Sequence, residues 1–376
     1  MSRTTDRGSG RDDSLRVAVV DDSPFMRGLI ADLLTDAGVA VVGEAGDGAE
    51  ALSVVAETRP DVVTMDVEMP GMGGLEAVER LMDETPTPVL MLSAHTAAGA
   101  EVTFEALDRG AVDFFSKPGG EVSTGVSRQS DRLVEAVKSV ADADLTAATR
   151  DRRERDRPGD VSRSSGGTGE SSPLAPTGSS EDATADVDAP LTVVIGASTG
   201  GPNAVERVMS ALPMADCRVL IVQHMPEAFT SRFADRLDEA SAYDVREASD
   251  GARIGAGEAL VARGGSHTRV DGYRAGRLRV RLAEDDSQSV TPAADVTMRS
   301  AAEVVDDPLV GVVLTGMGAD AAAGIRAMAD AGARTIAQSE DTCVIYGMPK
   351  RAVKTGGVDE VCDLDDVAGA IAGGEA

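Results

Sequence analysis

The chain has 376 residues, with 64 Asp and Glu against 36 Lys and Arg, a formal net charge of −28 and only 2% aromatic residues. Its length points to two domains, since single cores stop growing near ~250–300 residues. Its charge excludes nucleic acid as a natural partner and suits a salt-rich cytoplasm, where screening weakens self-repulsion.

Residues 1–14 are polar, lack a signal-peptide core and are expected to be disordered; no later apolar run approaches the ~18 residues of a membrane span, so a cytoplasmic location is expected. Leu15–Val20 then reads as a parallel strand ending in Asp21-Asp22. Ser23 and Pro24 open a helix whose apolar residues recur at helical spacing until Gly38. The alternation continues with strands Val39–Val42, Val62–Asp66, Pro88–Leu92 and Val112–Phe115 and with helices Ala49–Glu57, Leu75–Asp83, Ala98–Leu107 and Asp131–Val140. That pattern predicts an α/β fold with a doubly wound parallel sheet.

Strand carboxyl ends share one edge of such a sheet, which gathers Asp21, Asp22, Asp66, Ser93 and Lys117. Three carboxylates in one crevice repel each other unless a hard cation neutralises them, and Mg²⁺ takes oxygen ligands while keeping waters for a phosphoryl group. With these residues in place, 15–145 resembles the receiver domain of two-component response regulators. The resemblance implies that Asp66 is the phosphoacceptor. It implies that Asp21, Asp22 and Asp66 hold the metal with the Glu68 backbone carbonyl, that Ser93 and Lys117 sense the phosphoryl group, and that Phe114 is the switch aromatic.

Residues 146–189 are rich in Arg, Asp, Gly, Ser, Thr and Pro, with almost no large apolar residue, and read as a flexible linker. The segment 190–376 alternates again: strand Leu191–Ile195, helix Asn203–Leu212, strand Arg218–Val222 and helix Phe229–Ala240. In the middle, Glu258–Ala262 and Arg277–Leu282 read as hairpin strands turned through Gly264-Gly265 and Asp271-Gly272. Helix Ala293–Val305, strand Leu309–Leu314, helix Ala319–Ala331 and strand Arg334–Ala337 complete a second, Rossmann-like α/β domain. Cys217, Cys343 and Cys362 are too far apart to suggest a disulfide framework or a zinc site.

The run Val193–Ile195 stops in Gly196-Ala197-Ser198-Thr199-Gly200-Gly201-Pro202, which puts Ser198 between a strand end and a helix start, where amides and helix dipole can stabilise an oxyanion. A nucleophilic serine needs a base. His224 directly follows the neighbouring strand Arg218–Val222 and is preferred over His267, in a polar loop, and His95, in the first domain. Asp320 follows strand Leu309–Leu314 and is the orienting carboxylate, with a helix N-cap as its second role; Gly316 and Gly318 shape a loop whose amides can face the serine oxygen. The order Ser, His, Asp differs from that of α/β-hydrolases.

These three segments, together with Tyr346-Gly347-Met348-Pro349-Lys350, resemble the catalytic domain of chemotaxis protein-glutamate methylesterases. The resemblance implies hydrolysis of glutamate γ-methyl esters on chemoreceptors with release of methanol, deamidation of receptor glutamines, and sensory adaptation as the outcome. It implies that Ser198, His224 and Asp320 are catalytic, that the Met317 amide is in the oxyanion hole, that no cofactor serves the esterase step, and that a chemotaxis histidine kinase is the phosphodonor. Here the family's Gly-Asn-Asp-Gly reads Gly318-Ala319-Asp320-Ala321, and its Ala-Pro-Gly reads Ala262-Arg263-Gly264. The competing reading is a non-catalytic dinucleotide-binding output domain, although the second glycine of Gly-x-Gly-x-x-Gly is replaced by Ser198. A flexible tether fixes no geometry, so control should come from docking, with the unphosphorylated first domain covering the entrance to Ser198.

Overall fold

Long apolar runs that end at polar residues become buried parallel strands in the computed structural model, which describes residues 14–93, 97–117, 126–145, 191–213, 217–284 and 288–373. The expected N-terminal segment, the linker and His95 lie outside the described residues.

The first domain comprises β1 (Arg16–Val20), α1 (Pro24–Asp36), β2 (Ala40–Ala45), α2 (Gly48–Thr58), β3 (Val62–Asp66), α3 (Gly74–Glu84), β4 (Val89–Ser93), α4 (Ala97–Asp108), β5 (Asp113–Ser116) and α5 (Val126–Ala141). The parallel sheet runs β2-β1-β3-β4-β5. Every residue of β3 and β4 is buried, as expected for strands covered on both faces. The order reverses at β1, so the ends of β1 and β3 open onto the crevice where such sheets bind ligands. Ser23 caps α1 by accepting the Met26 amide at 3.4 Å.

The second domain begins with β6 (Leu191–Ala197), α6 (Gly201–Ala211), β7 (Cys217–Gln223), α7 (Glu227–Ala240), β8 (Asp244–Glu247), β9 (Arg253–Ile254), β10 (Glu258–Val261), β11 (His267–Arg274) and β12 (Arg277–Ala283). It continues through α8 (Ala294–Val304), β13 (Leu309–Val313), α9 (Ala322–Asp330), β14 (Arg334–Gln338), α10 (Met348–Lys354), β15 (Glu360–Cys362) and α11 (Val367–Ala372). The main sheet runs β15-β14-β13-β6-β7-β10-β8, and β11-β12-β9 form a separate antiparallel sheet.

Three expectations are corrected. Glu258–Val261 is no hairpin strand but lies in the parallel sheet between β7 and β8. Asp271-Gly272 is not a turn: the β11 register slips there as a bulge, and the chain reverses at Ala275 and Gly276, both at positive φ (50° and 73°). Helix α9 starts at Ala322, not Ala319, because Ala321 at φ 70° breaks the helical backbone.

The domains meet through α4 and α7. Phe104 stacks on Phe233 with centroids 5.8 Å apart, and Phe114 stacks on Phe229 at 4.6 Å. Around the rings, Arg236 pairs with Asp108 at 2.7 Å, Arg232 with Glu101 at 2.7 Å, and the Asn203 amide donates to the Leu107 carbonyl at 3.3 Å. An apolar centre with a charged rim is the anatomy of a real interface.

Candidate active site

Three strand ends build the second-domain site. Ser198 follows β6, its amide donating to the Thr315 carbonyl at 3.0 Å and its own carbonyl accepting from the Gly201 amide at 2.7 Å and from Gln223 Nε2 at 2.8 Å. Gly200 turns at φ 73°, a conformation glycine adopts without steric cost. His224 follows β7 and continues the ladder, its amide on the Ala197 carbonyl at 3.0 Å.

The loop after β13 lies directly on Ser198. A Cβ on Gly316 would stand 2.7 Å from Ser198 Cβ, so a side chain there would push the loop off the serine. The Gly316 carbonyl is held by the Gly347 and Met348 amides at 3.1 and 2.7 Å, which gives the Tyr346–Lys350 motif its task. Buried Thr315 receives the Ile345 amide at 2.9 Å and donates to the Thr199 carbonyl at 3.0 Å.

His224 Nε2 lies 2.7 Å from Asp320 Oδ2. Asp320 also accepts the Ala294 and Asp295 amides, at 2.6 and 3.0 Å, so it caps α8 and not the helix that follows it in sequence. Burial pushes this carboxyl up, but the hydrogen bond and charge of His224 and the two amides outweigh it and hold Asp320 below its ordinary value. Asp295 completes a reciprocal pair of caps by accepting the Gly324 amide at 2.6 Å. It is shifted upward by burial, with the Asp320 charge adding to the shift. His267 is not in a polar loop as expected but opens β11 and is fully buried, and its Nδ1 accepts the Ala293 amide at 3.2 Å; it pegs the start of α8.

Ser198, Thr199, His224, Met317 and Asp320 line a cavity of about 830 Å³, and Asp113, Phe114, Arg132 and Glu135 of the first domain line its other wall. Asp113 was invisible to sequence reasoning, because its significance comes from the other domain. Burial pushes its carboxyl up to about 6, against a hydrogen bond from the Thr199 side chain, the Phe114 amide and the charge of His224.

The first-domain site gathers Asp21, Asp22 and Asp66, with ligand oxygens all within 4.8 Å of one another. Lys117 Nζ bridges Asp21 at 2.8 Å and Asp66 at 2.7 Å. Burial raises the Asp66 carboxyl and the Asp21 charge adds to it, against the pull of Lys117 and the Glu68 amide. Lys117 is raised in turn: burial disfavours its charge, but the two carboxylates prevail. Three acids facing one lysine form an all-oxygen, net-negative donor set that fits Mg²⁺. Ser93 is fully buried at the end of β4, and Phe114 is buried against Phe229. Among the described residues no helix is long and apolar enough to cross a membrane.

Comparison with known proteins agrees with this division. Residues 17–123 match the response regulator receiver domain family and residues 193–371 the CheB methylesterase family. A Haloarcula marismortui protein named protein-glutamate methylesterase/protein-glutamine glutaminase is 57% identical, covering 95% of this chain and 96% of its own. A Halobacterium salinarum protein of the same name is 54% identical over 94% of this chain and 96% of its own. The crystal structure of the Thermotoga maritima CheB methylesterase catalytic domain is 35% identical over 48% of this chain and 97% of that one, with a TM-score of 0.47.

Proposed function

The chain belongs to the family of protein-glutamate methylesterases/protein-glutamine glutaminases that carry a receiver domain, and from this we propose that it demethylates and deamidates chemoreceptor side chains in the cytoplasm under control of phosphorylation at Asp66. The observation that carries the reading is the His224–Asp320 pair, 2.7 Å apart, in the cavity that Ser198 lines.

Ser198 Oγ attacks the γ-carbonyl of a glutamyl methyl ester. With Nε2 engaged by Asp320, His224 Nδ1 takes the serine proton, and Asp320, ionised by its amide donors, stabilises the resulting imidazolium. The Met317 amide holds the oxyanion. His224 returns the proton to the departing methoxide, or to the amine of a glutamine, releasing methanol or ammonia. A water deprotonated by His224 then attacks the acyl-serine and frees the γ-carboxylate.

In the receiver, Asp21, Asp22, Asp66 and the Glu68 backbone carbonyl would hold Mg²⁺. The ion's chemistry is to neutralise the incoming phosphoryl oxygens. A histidine kinase is the phosphodonor, and Ser93 and Lys117 receive the phosphoryl group on Asp66. In the docked form, Phe114 leans on Phe229 and Asp113 occupies Thr199 beside the nucleophile. Phosphorylation that draws Phe114 further inward removes the stack on Phe229 and opens the site.

The test is release of labelled methanol from methylated receptor. Wild type should release it faster with a small phosphodonor, and Ser198→Ala should lose at least about 10³-fold of the rate while keeping its melting temperature. Methanol release by Ser198→Ala near the wild-type rate would reassign the nucleophile.

A further inference from the structure

Gln223 ends β7 and is buried, only 2% exposed, beside the residues that the esterase reading makes nucleophile and base. Burying a primary amide is unfavourable unless its polar atoms find partners, so its presence here needs a reason. The nitrogen supplies one: Nε2 donates to the Ser198 carbonyl at 2.8 Å and to the His224 carbonyl at 3.1 Å. Both of its protons are thereby used. Turning the amide over would set Oε1 against two carbonyl oxygens, so these acceptors fix its orientation. Oε1 is buried with no donor among the described residues. The fold leaves one acceptor unmet in order to keep both bonds of the donor.

The bridge begins where the backbone ladder stops. Strands β6 and β7 pair in parallel from Leu191 opposite Cys217 to Ala197 opposite Gln223, and the His224 amide on the Ala197 carbonyl, at 3.0 Å, continues the ladder past that pair. The Ser198 amide turns away from β7, to the Thr315 carbonyl at 3.0 Å. The Ser198 carbonyl faces the other way and meets the Gln223 side chain. The serine is thus stitched on one side to the loop that leads to Asp320 and on the other to the strand end that carries His224. The Gly201 amide also holds the Ser198 carbonyl, at 2.7 Å, but that bond closes the serine's own turn and does not place the turn relative to β7. Gly201 makes room for the bridge, because a Cβ there would overlap Gln223 Oε1 and stand 2.9 Å from Ala197 Cβ.

We infer that Gln223 is a positioning residue for the hydrolysis: through the two backbone carbonyls it sets the spacing between the serine that attacks and the histidine that takes its proton. The inference rests on the esterase reading above. Proton transfer between these side chains is steeply sensitive to their separation, and a displacement of ~1 Å can cost ~10²-fold in rate. Other side chains fail for stated reasons. Methionine matches the length but donates nothing, asparagine is one methylene shorter, and an ionised glutamate would turn acceptors toward both carbonyls. Glutamine puts two protons on one planar nitrogen at the reach the bridge requires.

The test compares full-length wild type with Gln223→Met, both saturated with a small phosphodonor, by methanol release from methylated receptor and by labelling of Ser198 with a fluorophosphonate. For Gln223→Met, kcat should fall about 10–100-fold with the receptor KM within about twofold, since the triad shifts and the receptor-binding surface does not. The rate of labelling should fall by a similar factor while labelling still goes to completion. Gly201→Ala should lose kcat in the same way. Added to Gln223→Ala, it should cost less than about twofold more, because the side chain it displaces is gone. A kcat for Gln223→Met within about threefold of wild type overturns the inference. Incomplete labelling that accounts for the lost rate also overturns it, by making Gln223 a prop for the fold, and so does a full multiplicative loss in the double variant. If Gln223→Met does not fold, Gly201→Ala and the double variant are read by the same criteria. Failure of the esterase reading is told apart because wild type then releases no methanol, while the labelling rates still report on Gln223.

Discussion

Asp66 and Asp320 both sit at the carboxyl edge of a buried parallel sheet, and both are pushed upward by burial, yet the protein treats them in opposite ways. Around Asp320 the shortfall is met from within: His224 and two amides at the start of α8 stabilise the charge, and the carboxyl ends below its ordinary value. Around Asp66 it is left open, because Lys117 is shared with Asp21 and the neighbouring acids add repulsion. A carboxylate satisfied by fixed dipoles is always ready to orient a base. One that remains short of positive charge waits for an exchangeable cation and a phosphoryl group, which is what a switch requires. In the proposed reading, control of the constitutive site arrives through contact, and Asp113 and Phe114 are the residues that touch it.

The largest effect should come from breaking the constitutive side. Asp320→Asn keeps the shape but removes the charge that stabilises the imidazolium, and kcat for methanol release should fall by on the order of 10³–10⁴. A loss below about tenfold would show that the helix amides, not the carboxylate, do the orienting. Next in size is removal of divalent cations with EDTA from the unphosphorylated protein. Stimulation by a small phosphodonor should vanish while the basal rate stays within about twofold, since only the Asp66 side needs the ion. A basal rate that collapsed along with the stimulation would erase the distinction between the two sites.

The smallest effect concerns Asp113, the carboxylate between the two sites. Its docked value of about 6 exceeds the ordinary 3.8, so docking takes up a proton. Docking is therefore strongest below pH ~4 and weakens as pH rises through ~6. Solvent in the cavity screens this half-buried group, so the unphosphorylated rate should gain only a few-fold from this cause between pH 5 and 7. The ratio of wild-type to Asp113→Asn rates cancels the pH dependence that the triad contributes to both. That ratio should climb over this window, and a flat ratio would uncouple Asp113 from docking.

The strand-end positions of Ser198, His224 and Asp66 were legible because each ends an apolar run, and a buried parallel strand advertises its end in sequence. Asp320 was legible as a carboxylate in the loop after a strand, but its amide donors lie 25 and 26 residues upstream, a pairing only the packed fold creates. The hairpin was misread because Asp271-Gly272 has turn chemistry, whereas the chain reverses at Ala275-Gly276, where an alanine takes φ 50°. Ala321 does the same at φ 70° beside Asp320, where the family has glycine; the left-handed region costs a non-glycine residue roughly 1–2 kcal/mol. Strand β10 was misassigned because Ala259-Leu260-Val261 is a short run between glycine-bearing turns, with no periodicity to separate an edge hairpin from a buried strand.

The stacked rings between α4 and α7 bear on how long an activated molecule survives. Four of the chain's six phenylalanines meet there, and the chain has no tryptophan. Its largest apolar side chains are thus concentrated on the boundary that the proposed activation would part. If the halves separate as proposed, with Phe114 drawn inward, Phe104, Phe229 and Phe233 lose their partners across the boundary and face water, and such patches recruit other molecules of their kind. In that reading the opened form would be the adhesive one, and it would have to reclose before it associates. Salting-out ions that favour apolar association would shorten each such opening, so the ring cluster itself would set how long an opening lasts.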